Sequence, residues 1–371
     1  MKIRLAGAVL VAVALPAAAS GAQINPTLRV EGGSANVIPL TPFGVESSAS
    51  LTVLVRDTTD PDTIRVSARS ATAQVANATS WLGLKFGFDI FNFGGPSSFV
   101  TQIGPDKTPA SFTPSWRLKV NHKVTPAGSD ATKLKATDSV LWSFSTSFDE
   151  PELDLRTANQ RLATGSAFRT RVVAFDNDGV ATPGAGASVR FAGVTKTANA
   201  KGSVTFDAVR DGAFWASATR IGSVRSQRQL VCVRPAATGR LCSAISFPKP
   251  GGRVTEPHAI IGVVAGTLPN SRVNVALAKI AGSKCRFLLA DRRTFSAPQA
   301  CSNRVAIPVP VKPKGAWMLR IASKQPDVTG RLSPGSYRIW SRVVTGTRRE
   351  TLGTPGINTV SFTVVSKGVY G

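Results

Sequence analysis

Short runs in which apolar and polar residues alternate, cut by turn signals at intervals of about 8–12 residues, recur along most of this chain. A period of two is the signature of strands with one buried and one wet face, and it leaves little room for long helices. Val360, Phe362 and Val364 alternate with Thr359, Ser361 and Thr363. Trp116, Leu118 and Val120 share one face of a strand over 115–120, and Val140, Trp142 and Phe144 share one face of a strand over 139–145. Between 151 and 235 strands are predicted at 168–175, 188–191, 202–208, 213–219 and 228–233. They are separated by Asn177-Asp178-Gly179, Pro183-Gly184 and Asp211-Gly212. Further strands are predicted at 260–264, 272–280, 317–321, 337–344 and 359–365. The exception lies between Ser67 and Trp81, where Ala71, Val75, Ala78 and Leu82 recur at steps of three and four. One amphipathic helix is predicted there, ended by Gly83.

The N-terminus reads as an export signal. Lys2 and Arg4 precede the uncharged apolar run Leu5 to Leu15. Pro16 breaks it, and small residues from Ala17 to Ala22 follow. Cleavage after Ala22 is expected, with Ala19 as the alternative. The apolar run is shorter than the roughly 20 residues a bilayer span requires, and no second long apolar run follows. The expected localisation is secreted or cell-surface associated, with no transmembrane segment after signal cleavage. The four cysteines suit an oxidising compartment. Of the three possible pairings, the local ones, Cys232–Cys242 and Cys285–Cys301, are expected. A zinc site is disfavoured because there is no C-x-x-C pair and because His122 and His258 are remote from the cysteines.

These observations divide the chain into a signal peptide (1–22), a first block (23–150), a second (151–235), a linker rich in Pro, Gly and Arg (236–257), and a third block (258–366). The fold class expected is mainly β and multi-domain: a small α+β domain followed by two immunoglobulin-like β-sandwiches. Charge divides the chain in the same way. Residues 27–150 carry eleven Lys/Arg and eleven Asp/Glu, whereas 151–371 carry thirty-two against ten. The basic half predicts attraction to an anionic wall polymer or a glycan, although its arginines are dispersed. Nucleic acid is disfavoured by export and by the lack of an aromatic-basic RNA-binding motif.

The stretch Trp116-Arg117-Leu118-Lys119-Val120-Asn121-His122, then Leu134, then Asp138-Ser139-Val140-Leu141-Trp142, resembles the small α+β domain at the C-terminus of transcobalamin and intrinsic factor and its bacterial relatives. Those read Trp, then Val-Asn-Gly, then Gly-Asp-x-Val-x-Trp. His122 stands where glycine is usual, and Thr137 precedes the aspartate in place of glycine. The resemblance spans about residues 27–148. Residues 152–233 are similar to bacterial immunoglobulin-like repeats, through Gly186-Ala187-Ser188-Val189 and the run Asn199 to Phe206. The last block resembles immunoglobulin-like end domains of exported actinobacterial proteins. The first resemblance implies capture of a small, cobalamin-like ligand, although transcobalamin's helical partner domain is absent.

No G-x-S-x-G, H-E-x-x-H, phosphate-binding loop or dinucleotide fingerprint occurs. The chain is therefore expected to be non-enzymatic, with no cofactor and no metal, and to work as a binding or interaction protein whose partner is an envelope protein, a glycan or a wall polymer. Small-ligand capture is the alternative, and a hydrolase assembled from distant acids a second. The candidate ligand-binding residues are Trp116, Asn121 and Trp142, each with a plainer role: the tryptophans as core, and Asn121 as the residue that holds a hairpin turn. The acidic cluster Asp149, Glu150, Glu152 and Asp154 suits calcium chemically, but a solvated linker is the expected reading. Phe86, Phe88, Phe91, Phe93 and Phe99 are expected to pack against the helix, and would mark a binding patch only if exposed.

Overall fold

The computed structural model of the chain describes residues 23–48, 50–60, 62–92, 96–207, 209–235, 240–266, 270–322, 330–350 and 354–366, with the backbone alone at 91, 92, 96 and 313. The export signal over 1–22 lies outside the described residues, as does Phe93. The architecture is mostly β and multi-domain, with several sheets consistent with immunoglobulin-like sandwiches.

The first block is organised by the strand Thr27–Glu31. It lies parallel to Ser139–Ser145 on one side and antiparallel to Asn36–Pro42 on the other. Ser115–Val120 and Lys123–Val124 complete a five-stranded sheet. On its inner face Leu28, Val30, Trp116, Leu118, Val140 and Trp142 join one apolar cluster with the helix Ala71–Leu82. Ser70 caps the helix: its Oγ accepts from the Ala73 amide at 3.1 Å. Gly83, at φ 63°, ends it in the left-handed region. Phe86 and Phe88 are buried in the same cluster.

Residues 152–233 form two facing sheets. One holds Glu152–Thr157, Phe168–Phe175, Ala181–Pro183 and Ser203–Phe206. The other holds Arg161–Leu162, Gln229–Val233, Gly212–Thr219, Ser188–Phe191 and Val194–Thr197. Phe168, Phe191, Phe206 and Val231 fill the space between them, in a cluster separate from that of the first block.

The third block also has two sheets, and its strands begin earlier than the sequence suggests. The stretch 236–257, read as a linker, contains Ser243–Phe247, fully buried and paired with Ala259–Val264, and Arg253–Thr255, paired with Thr359–Val365. The run Ala244-Ile245-Ser246-Phe247 is short and lies among Pro, Gly and Arg, so composition hides it. Glu350 fastens this strand to the opposite sheet. Its Oε1 accepts from Ser243 N (2.8 Å) and Asn358 Nδ2 (3.0 Å), and its Oε2 from Ser243 Oγ (2.5 Å) and Val343 N (2.9 Å). Burial pushes this carboxyl up from its ordinary range, against those four donors. The chain bonds Cys232 to Cys242 and Cys285 to Cys301.

The apolar cluster of the first block continues without a break into the third: Ile245, Ile260, Trp317, Ile339 and Phe362 belong to the same cluster as Leu28 and Leu82. Where the two meet, His258 N donates to Trp81 O at 2.8 Å, and the Arg320 guanidinium lies 4.5 Å from the Trp81 ring centroid. Gly83 abuts this contact, and a Cβ added there would overlap the carbonyl oxygen of Thr255. Gly83→Ala therefore strains a left-handed residue and forces apart two packed blocks, at an expected cost of about 2–4 kcal/mol. In thermal unfolding followed by tryptophan fluorescence, G83A should lower the transitions of the first and third blocks together and leave that of residues 152–233 in place.

Candidate functional site

The outer face of the first sheet carries charge, and it is buried. Arg29 and Glu31 alternate with Leu28 and Val30 on Thr27–Glu31, so they leave on the face opposite the apolar cluster. Residues 152–227 cover them. Arg29 Nη2 meets Glu152 Oε1 at 2.6 Å, and Arg29 Nη1 donates to Gln227 Oε1 at 2.9 Å. His122 Nδ1 lies 3.0 Å from Glu152 Oε2, and the His122 ring stacks on Phe175 at 3.8 Å between centroids. Arg225 reaches back with Nη2 to the carbonyls of Gly32 and Gly33, both at 2.8 Å.

The same arginine favours the charged form of two carboxyls, yet their net shifts have opposite signs. For Glu152, burial raises the pKa, but direct contact with Arg29 and the His122 hydrogen bond outweigh it, and the net shift is downward. For Glu31, burial again comes first. Arg29 and Arg225 stand farther off, at 3.9 and 3.6 Å, Asn36 supplies one hydrogen bond, and the carboxyl is pushed up to about 7. Lys119 is held below the usual lysine range by burial, partly offset by Glu152 and Asp176. This seam corrects the linker reading of the acidic cluster. Glu152 is a buried strand residue, Asp149 is exposed, and among the described residues no group of three or more His, Cys, Asp or Glu side chains is placed to hold a metal ion.

At one end of the seam lies a cavity of about 220 Å³. Its inner wall holds Trp116, Leu118 and Trp142, its far wall Ser98 to Val100, and its outer wall Arg117, Phe148 and Asn177. The Arg117 guanidinium lies 3.2 Å from the centroid of the Phe148 ring. Burial lowers the Arg117 pKa, with Glu150 opposing. Two donors at this cavity have no acceptor among the described residues: Trp142 Nε1, on a side chain 2% exposed, and Arg117 Nε. Such donors are costly to leave unpaired in a protein interior.

The three sequence-predicted residues separate. Trp116 and Trp142 are core residues of the inner face that also line the cavity, and Trp116 Nε1 donates to Asp106 O at 3.3 Å. Asn121 does not line it. At φ 53° Asn121 opens the turn, its Nδ2 donates to Asp138 Oδ1, and its Oδ1 accepts from Ser139 N, each at 2.9 Å. His122, at φ 70°, is the second residue of this turn and contacts Glu152 and Phe175. Sequence reasoning missed Arg29, Glu31, Arg117 and Phe148. The alternation of Arg29 and Glu31 with Leu28 and Val30 was visible, but nothing marked their face as covered.

No family model matches the chain, and no curated protein does. Weak similarity is found to solved structures. The fibronectin(III)-like modules of Clostridium thermocellum CbhA are 10% identical, covering 58% of this chain and 96% of that one, with a TM-score of 0.18. A Salmonella alpha-2-macroglobulin mutant is 12% identical over 93% of this chain and 28% of its own, with a TM-score of 0.20. The Escherichia coli adhesin FdeC is 13% identical over 92% of this chain and 99% of its own, with a TM-score of 0.18. Likeness at this level carries no argument about function.

Glu31 gives the seam a pH dependence with a definite sign. A carboxyl whose folded pKa is raised contributes stability that is complete below its unfolded pKa and is lost as pH rises through the folded value. The rise from 4.5 to about 7 corresponds to roughly 3 kcal/mol. Glu152, shifted downward, acts in the opposite sense as the solution turns acidic. Urea unfolding between pH 5 and 8 should show stability falling as pH rises, and Glu31→Gln should flatten the curve and leave the variant the more stable protein at pH 8.

Proposed function

We propose that this chain is an exported, non-enzymatic contact protein of the cell envelope or extracellular space, and that the cavity at the free end of the first sheet is its principal binding site. The observation that carries this reading is the cavity itself: an aromatic wall with two buried donors lacking acceptors among the described residues, Trp142 Nε1 and Arg117 Nε. Unpaired donors in a concave site favour a bound acceptor. Export rests on the leader-like residues 1–22, and the two disulfides suit an oxidising compartment. The first block's likeness to the C-terminal domain of transcobalamin belongs to this proposal too. So do the division at 150 and 235 and the immunoglobulin-like naming of the later blocks, which act as spacer and second contact.

Capture of a corrinoid is the less favoured reading. At about 220 Å³ the cavity is smaller than the roughly 300–1,000 Å³ typical of small-molecule sites. Titration with cobalamin should therefore leave the tryptophan fluorescence unchanged. A hydrolase is also less favoured, since Glu150, the carboxylate at this cavity, is engaged by the amides of Thr146 and Ser147. The basic surface of residues 151–371 offers anionic wall polymer a second contact, which salt should weaken steeply.

Two measurements test the proposal. N-terminal sequencing of the protein recovered outside the cell should begin at Gln23, whereas an intracellular chain retaining Met1 would refute export. Purified protein should bind envelope preparations of its own cell saturably, and Ala127→Trp, placed at the exposed lip of the cavity, should weaken that binding at least fivefold. Binding that does not saturate, or that ignores A127W, would remove the cavity from the account.

A further inference from the structure

The four successive residues Trp116 to Lys119 all line the cavity. Side chains of successive strand residues leave on opposite faces, and Trp142, Ser143 and Ser145 of the adjacent strand line the cavity too, so it reaches both faces of the sheet here. Pairing decides which main-chain groups lie on each edge of the strand. Asn121 N donates to Ser139 O, so Asn121, and by alternation Lys119, Arg117 and Ser115, turn their main-chain groups toward Ser139–Ser145. Trp116, Leu118 and Val120 turn theirs the other way. There, the neighbouring strand Lys123–Val124 pairs only with Lys119 and Val120. Two N–H and two C=O groups, those of Trp116 and Leu118, are thus left beside the cavity with no ladder partner among the described residues.

The opposite wall repeats the pattern. Ser98, Phe99 and Val100 are successive residues of Pro96–Ile103, a strand paired with Phe86–Asn92 on one edge with a bulge at Thr101, and on the other paired at Gln102 and Ile103, where Thr108 N also donates to Thr101 O at 2.7 Å. The Ser98 amide is taken by Asp130 Oδ2 at 3.0 Å. The cavity thus lies between two strands whose facing edges are incompletely paired.

We propose that an extended polypeptide segment of another protein adds as a strand to the edge at Trp116 and Leu118, with the cavity receiving the side chains that flank this edge. The proposal rests on the contact-protein reading and names its ligand class. The two faces of the sheet set the ligand's side chains. On the inner face they meet Trp116, Leu118 and Trp142, which suit apolar groups. On the outer face they meet Arg117, a half-buried cation that suits a carboxylate, whereas the neighbouring Lys119 is buried and its Nζ donates to Asp176 O at 3.2 Å. The segment that fits alternates apolar and acidic residues, the pattern by which strand addition achieves specificity. Trp142 Nε1 and Arg117 Nε gain acceptors from it.

A displayed library of nine-residue peptides, selected on the full chain and counter-selected on A127W, tests this directly. Ala127 is exposed, and an unchanged thermal midpoint confirms that A127W folds. Selected peptides should alternate apolar and acidic residues. Synthesised with N-methyl groups on one alternate set of residues they should bind at least tenfold more weakly, and on the other set within twofold of the parent. Hydrogen exchange at the amides of Trp116 and Leu118 should slow on binding. Arg117→Glu should weaken binding at least tenfold, and peptides with lysine in place of the acidic residues should recover it. Equal effects of the two methylated sets, or unchanged exchange at Trp116 and Leu118, would overturn strand addition. If no peptide is selected while envelope binding still responds to A127W, strand addition falls and the contact-protein reading stands. If envelope binding also fails, both fall.

Discussion

The ion pair between Arg29 and Glu152 is the interaction on which the arrangement of this molecule turns. Arg29 stands on the strand Thr27–Glu31, all five residues of which are buried. The inner face is easily satisfied, because Leu28 and Val30 meet other apolar groups. The outer face holds a guanidinium and a carboxylate, and neither tolerates burial without partners. Residues 152–227 supply them: Glu152 and Gln227 for Arg29, Arg225 for Glu31. A pair formed at 2.6 Å in a largely dry seam fixes orientation as much as it contributes energy. With the second block locked against this face, Phe148 and Asn177 come to stand beside Arg117 and become the outer wall of the cavity.

Much of the fold was legible because short strands advertise themselves locally. The strands at 168–175 and 188–191 and the helix ending at Gly83 follow from period, caps and turns, none of which needs a distant partner. What escaped was set by distant partners. Glu152 reads as one acid among four, and only Arg29, more than a hundred residues away, makes it a buried anchor. Ser243–Phe247 reads as linker because the strand that buries it, Ala259–Val264, shows nothing of the pairing in its own sequence. The tryptophans of the candidate site were identified, and their inner-face position follows from alternation. That the strand bearing Trp116 has an open edge does not, since an edge is a property of what fails to pair with it.

The continuity of the apolar cluster between the first and third blocks has a mechanical consequence. Trp81, Arg320 and His258 form the contact, and the residues between are carried on a chain whose ends are held in one body. The second block leaves the first near residue 150 and rejoins the third near Cys232–Cys242. It is therefore tethered at both ends, as well as by the charged seam. A cavity of the first block whose outer wall includes Asn177 of the second is held more rigidly than one beside a domain joined by a single linker, and pre-organisation of that kind lowers the ordering cost of binding.

An open strand edge is ordinarily a hazard, because any extended chain can pair with it. Native proteins shield such edges by shortening, charging or covering them. At Trp116 and Leu118 the shielding is partial and selective. The edge is recessed, so a flat sheet from another molecule cannot approach it side-on. Phe148 and Arg117 stack across its outer side, and the Arg117 cation discourages a segment that is basic on that face. Simple protection would have needed no more than extending Lys123–Val124 a few residues along the edge. Instead the chain turns off at Thr125, and on the outer edge of Lys123–Val124 the Val124 N donates to Asn177 O at 2.9 Å, which ties this short strand to the second block. An edge that is recessed, charged and still unpaired is better explained by a ligand that fits it than by protection alone.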